Sequence, residues 1–197
     1  MKPKVELLDW ERILIDTSTI LDYLKVGSGD KKVFDRIEFT KKIIDFLVDS
    51  KTQKGTERKF LISAISLSEI KTLNKDADVY KEIIFALNAS NVEIIPFDRR
   101  LALFINTNAG ELFHKKNLNF KITEAFNQAG DFSLIREWLI KDYLIAFSGL
   151  YSNCDVILTA DEKTFKPICD EIKCPCTVTL PENFNHAGKN VFYYTGV

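Results

Sequence analysis

The sequence predicts an α/β domain on a buried parallel sheet, and three observations lead there. Short, β-branched apolar runs recur along the chain: Arg12-Ile13-Leu14-Ile15, Phe60-Leu61-Ile62-Ser63-Ala64-Ile65, Asn91-Val92-Glu93-Ile94-Ile95 and Asp155-Val156-Ile157-Leu158-Thr159. Such near-continuous apolar runs suit strands covered on both faces. Between them lie longer stretches with apolar residues at helical spacing, and each run leads into one.

The first run ends at Asp16, and Thr17, Ser18 and Thr19 can cap a helix carrying Ile20, Leu21 and Leu24. Gly27, Ser28, Gly29 and Asp30 mark a loop across 25–32. Phe34, Ile37, Ile43, Ile44, Leu47 and Val48 then sit at amphipathic-helix spacing, and 50–59 is polar and Lys-rich. After the 60–65 strand, Ser66-Leu67-Ser68-Glu69 opens a helix with capping-box spacing. The third strand stops at Pro96. The 101–138 stretch is mostly helical in pattern, interrupted around 106–110 and 130–131, and 138–151 predicts the longest helix. Cys176-Thr177-Val178-Thr179-Leu180 offers a fifth strand, ended by Pro181. No internal repeat or low-complexity segment is visible, so one domain over 1–197 is the simplest expectation.

Composition narrows the classes. With 197 residues, 46% hydrophobic and 28% charged, the chain reads as globular rather than disordered or fibrous. A net charge of −1 gives no overall basic field to announce nucleic acid, although a local basic face can bind phosphates on a neutral protein. No apolar run approaches the roughly 18–20 residues of a membrane span. Residues 1–12 lack the apolar core of a signal peptide, so the expected location is the cytoplasm. Four cysteines fit that compartment as reduced thiols. Cys169, Cys174 and Cys176 raise a zinc reading, but paired CxxC spacing is missing, and structural thiols are the expectation.

Parallel α/β sheets place ligands beyond the carboxyl ends of their strands. Asp16 ends the first strand, and Asp161 lies just past the fourth. Glu69 sits early in the helix after the second strand, and Asp142 near the start of the helix that feeds the fourth. Gathering four carboxylates would be strongly unfavourable without a counter-charge. Oxygen-only ligation favours Mg²⁺ or Mn²⁺ over zinc or copper. Such an ion activates water and offsets charge on a phosphoryl oxygen, which points to phosphodiester hydrolysis. Each acid also has a plainer explanation: Asp16 as a helix cap, Glu69 as the third member of a capping box, Asp142 as a solvated helix-start acid and Asp161 as a turn initiator.

Taken together, the segments resemble the PIN-domain nuclease family. Ile13-Leu14-Ile15-Asp16-Thr17-Ser18 is similar to its opening strand and first acid, and Ile62-Ser63-Ala64-Ile65-Ser66-Leu67-Ser68-Glu69-Ile70 to its second segment. Asp142-Tyr143-Leu144-Ile145-Ala146 resembles the third. The most specific match is Asp155 through Phe165, with Thr159-x-Asp161 and a Phe four residues later. The resemblance implies a three-layer α/β/α fold with a central parallel sheet of about five strands. It implies Asp16, Glu69, Asp142 and Asp161 as metal-binding acids, with Thr17 or Ser18 and Thr159 as supporting hydroxyls. The implied activity is Mg²⁺- or Mn²⁺-dependent endoribonuclease action on RNA. Many compact members are toxins held by an antitoxin, and they tend to form homodimers. This chain is longer than those, with excess around 25–59 and 104–137 and a tail after 181.

RNA binding needs positive charge. Lys51, Lys54, Arg58 and Lys59 precede the second strand, Arg99 and Arg100 follow the third, and His114, Lys115 and Lys116 form a short run. Arg136 and Lys141 lie closest before Asp142 and are the substrate-contact candidates. Two other classes compete with a nuclease. One is a catalytically silent PIN-like module that binds RNA or protein. The other is a phosphatase or receiver-type domain with Asp16 as phosphoryl acceptor; haloacid-dehalogenase-like phosphatases expect a second Asp two residues on, where Ser18 stands.

Overall fold

The structure is a computed structural model that describes residues 7–25, 28–73, 81, 89–110, 112, 132–186 and 189–190. Five parallel strands form its centre: β1 (Arg12–Ile15), β2 (Lys59–Ser63), β3 (Val92–Ile95), β4 (Val156–Thr159) and β5 (Cys176–Val178). Their spatial order is β3-β2-β1-β4-β5. Leu14 pairs with Leu61 on one side and with Ile157 on the other. The chain moves outward from β1 first through β2 and β3, then returns to β4 and β5. The order therefore reverses between β1 and β4.

Alternation along the strands assigns two faces, since successive strand side chains point opposite ways. Ile13, Phe60, Val156 and Leu158 face one apolar layer with Phe39, Ile43, Ile44 and Leu47. Those four belong to α2 (Lys31–Asp49), capped by Asp30, whose carboxylate accepts from Lys32 N and Val33 N. Leu14, Leu61 and Ile157 face the opposite layer. That layer holds α4 (Arg99–Asn108), α5 (Phe132–Tyr151) and α6 (Phe165–Glu171). Helices α1 (Thr17–Leu24) and α3 (Ala64–Leu73) close a third apolar cluster, in which Ile20 and Ile70 meet Ile62 of β2. The three-layer α/β/α fold with five parallel strands, implied by the resemblance, is the fold observed.

Several expectations change. The second strand ends at Ser63, two residues earlier than its apolar run, because the hydroxyl of Ser63 accepts from Ile65 N and starts α3 there. Ser66 consequently lies inside the helix, and Glu69 falls in its second turn, so the Ser66–Glu69 capping box does not form. Asp142 stands mid-way along α5, not near its start, because that helix begins at Phe132. The extra length in 25–59 includes α2, a core helix. Part of the tail also covers the core: Phe184 packs against Trp10 at 6.2 Å and Phe39 at 5.3 Å between ring centroids. Beyond it, β6 (Asn185–His186) and β7 (Lys189–Asn190) pair antiparallel, apart from the main sheet. Most of 104–137, with His114, Lys115 and Lys116, lies outside the described residues.

Helix α5 approaches β4 closely at one point. A Cβ on Gly149 would stand 2.7 Å from Ile157 Cδ1 and 3.1 Å from Cys154 Sγ. Gly149→Ala is expected to lower stability by about 1–3 kcal/mol through overpacking, read as a lower denaturation midpoint with unchanged slope.

Among the described residues no helix is long and apolar enough to cross a membrane. Cys154, Cys169 and Cys174 pack in the core. A hydrogen bond to Cys176, together with burial, pushes the Cys169 thiol up, as suits a packing residue rather than a reactive one.

Candidate metal centre

A reversal of strand order opens a crevice between neighbouring carboxyl ends, and here the crevice lies beyond β1 and β4. Asp16 occupies it from β1. Its backbone N donates to Leu158 O at 2.9 Å, continuing the β1–β4 ladder one step past the strand. The carboxylate is only 3% exposed. Its Oδ2 accepts from Ser18 Oγ at 2.6 Å, Ser18 N at 3.3 Å and Thr159 Oγ1 at 2.9 Å. Asp16 is thus the N-cap of α1, and also a buried acid at the switch point. Burial pushes its pKa up to about 6, against the hydrogen bonds from Ser18 and Thr159, which pull it down.

The expected supporting hydroxyls are all engaged. Ser18 Oγ also accepts from Ala160 N at 2.9 Å, and Thr159 Oγ1 from Asp161 N at 3.0 Å, so the loop after β4 is tied to the start of α1. Thr17 Oγ1 donates to Glu69 Oε2 at 2.7 Å. Freed from the capping box, Glu69 is held toward α1 instead. Burial raises its pKa, opposed by Thr17 and by the nearby Lys141 ammonium.

Asp142 completes the group from α5. Burial holds its carboxyl well above the ordinary range, and the charges of Asp16, Glu69 and Asp161 push it further the same way. All four predicted acids are thus brought to one end of the sheet, within electrostatic reach of Asp142. Asp161 has both of its oxygens engaged. Its Oδ1 accepts from Lys163 N and Thr164 N, both at 2.9 Å, and its Oδ2 from the Thr164 hydroxyl. The turn-initiating role considered for it is therefore present.

An all-oxygen set of four mutually repelling carboxylates suits a hard divalent cation in charge and chemistry. Among the described residues, however, no three acidic, histidine or cysteine side chains are drawn into a closed ligand cluster. The acids are neighbours, with Glu69 and Asp161 still bonded to their threonines.

The basic candidates separate by position. Lys141 pairs with Glu137 at 2.8 Å and lies beside Glu69. Arg136 is exposed, and helical geometry turns it about 120° away from Asp142. Arg99 and Arg100 begin α4, past the carboxyl end of β3. Lys51, Lys54, Arg58 and Lys59 belong to the opposite end: Lys59 opens β2 and pairs in register with Arg12. Arg58 is buried there, donating to Ser50 Oγ at 2.8 Å, and is not available to phosphate. A further buried acid that the sequence reading passed over, Asp22, is not part of the site. It binds Arg36 at 2.6 Å and Lys25 at 2.9 Å and joins α1 to α2.

No family model matches the chain, and no curated protein matches it. Among solved structures, it is similar to a chain in the crystal structure of VapBC2 from Rickettsia felis bound to a DNA fragment from their promoter. The TM-score is 0.48 at 18% identity, over 85% of this chain and 98% of that one. What the site can do follows from its own residues.

Proposed function

We propose that the protein is a metal-dependent endoribonuclease whose Asp16, Glu69, Asp142 and Asp161 hold Mg²⁺ or Mn²⁺. The observation that carries this reading is the convergence of four carboxylates from the ends of β1 and β4 and from α3 and α5, where the half-buried Asp142 meets the charges of the other three. Such an arrangement is costly unless a cation occupies it. A bound divalent ion would supply Lewis acidity for water activation and offset charge on phosphoryl oxygens. The chain's own residues do the positioning. Ser18 and Thr159 fix the Asp16 carboxylate, Thr17 fixes Glu69, and Lys141 offers a positive group at the rim for phosphate. RNA as substrate rests on the resemblance of the four motifs, as do an antitoxin partner and a homodimer.

The test is cleavage of RNA with Mg²⁺ or Mn²⁺ by the wild type, Asp16→Asn and Asp142→Asn. Cleavage is expected only in the wild type and only with metal; full activity in both variants sinks the assignment. One observation favours a second reading, a catalytically silent PIN-like module binding RNA or protein. Asp161 already spends both oxygens on its own turn. Calorimetry with Mn²⁺ separates the two, since a silent module takes up no metal at the acids.

A further inference from the structure

Helix α5 carries one row of residues out of the core and into solvent. Gly149, Ile145, Asp142 and Trp138 follow one another at spacings of three and four, so they share one face. Gly149 lies against β4, Ile145 is fully buried and Asp142 sits at the boundary. Trp138, one turn further out, is 47% exposed. Helical side chains lean toward the helix N-terminus, so Asp142 leans over the turn that carries Trp138. A large flat ring therefore stands at the rim of the acid crevice, and Lys141 stands next to the same row.

Several large apolar side chains are exposed among the described residues, and Trp138 is the one on the same helix face as Asp142. The two features beside it are a carboxylate group suited to a phosphate-bound cation and an ammonium. Both suit a nucleotide chain, whose bases stack on aromatic rings. From this juxtaposition we propose that Trp138 stacks on an unpaired nucleobase of the RNA and so sets where the backbone crosses the acids. The proposal rests on the nuclease reading and names a positioning residue for it. It implies a single-stranded stretch at the cut, because a base inside a duplex offers no free face.

The two tryptophans of the chain make the test direct, since Trp10 is buried and Trp138 is exposed. A short single-stranded oligoribonucleotide is titrated into the full chain in EDTA, where cleavage cannot proceed, with tryptophan emission as readout. Emission should be quenched in the wild type and in Trp10→Phe, but not in Trp138→Phe. Trp138→Ala should bind about 5–150-fold more weakly, the range for loss of one stacked base. Trp138→Phe should bind nearly as the wild type does. The salt dependence of binding should be the same in all, because no phosphate contact is removed.

Wild-type affinity in Trp138→Ala, or quenching that survives in Trp138→Phe, overturns the proposal. So does a loss confined to self-association, seen by gel filtration with RNA binding intact, which would make Trp138 a contact between copies. Quenching and weakened binding without cleavage in Mg²⁺ or Mn²⁺ would leave Trp138 its role and remove the nuclease reading. Cleavage with unaltered Trp138→Ala binding would do the reverse.

Discussion

Asp142→Asn is expected to raise the melting temperature of the metal-free protein at pH 7 while lowering metal-dependent RNA cleavage about a hundredfold or more. The two effects have one cause. Asp142 is half-buried and faces Asp16, Glu69 and Asp161, so without a cation its charge opposes the folded state. Asparagine keeps the shape and removes that charge. It also removes a donor from the proposed ion site, where the metal contributes several kcal/mol of charge stabilisation.

The pH dependence follows the same sign. The folded-state pKa values of Asp16, Glu69 and Asp142 are raised, so their stabilising contribution is complete below the unfolded carboxylate range. It is lost as pH rises through the folded values. For Asp16 the window runs from 3.8 to about 6. A displacement of that size corresponds to about 3 kcal/mol lost across the window. Melts in EDTA from pH 4 to 8 should show the wild type declining and Asp142→Asn declining less. Mn²⁺ should restore the wild type at pH 7 and leave the variant little changed. A wild-type protein that gains stability across this window, without metal, would contradict the electrostatic picture.

Asp22→Ala should have the largest effect on folding with the least on chemistry. The Asp22 carboxylate is buried between α1 and α2, bonded to Arg36 through two contacts and to Lys25 through one. Removing it leaves Arg36 without its carboxylate and opens the space it filled. A loss of about 2–3 kcal/mol is expected, the scale for hydrogen bonds to charged groups. Chemical denaturation measures it. Metal binding per folded molecule should be unchanged, because Asp22 is absent from the charges that act on Asp142.

The inner strands β1, β2 and β4 were legible because each is a short, mostly buried apolar run; β1 spans Arg12–Ile15, as its pattern predicted. Their carboxyl ends then located the acids without any knowledge of strand order. Helix starts were harder. Ser63 and Ser66 are both good caps by type, and the hydrogen bond from Ile65 N to the Ser63 hydroxyl decided for Ser63. That choice moved Glu69 out of a capping role and into contact with Thr17. The Gly130-Asp131 break falls just before the start of α5, but the longest helix was expected only from 138, so Asp142 was placed near a terminus that in fact lies ten residues earlier. The roles of basic residues could not be read from proximity in sequence, since Arg58 is close to β2 but at its amino end. Asp161 shows the remaining ambiguity, because a turn initiator and a ligand have the same spacing.

If the four acids form one divalent-cation site, the metal-free protein takes up Mn²⁺ there. Titrating Mn²⁺ into the metal-free protein while following the free-ion signal by electron paramagnetic resonance tests it most directly. Saturable uptake by the wild type is expected, strongly weakened in Asp16→Asn and in Asp142→Asn, with both variants folded. Uptake by the variants equal to the wild type, or no uptake by the wild type, would contradict it.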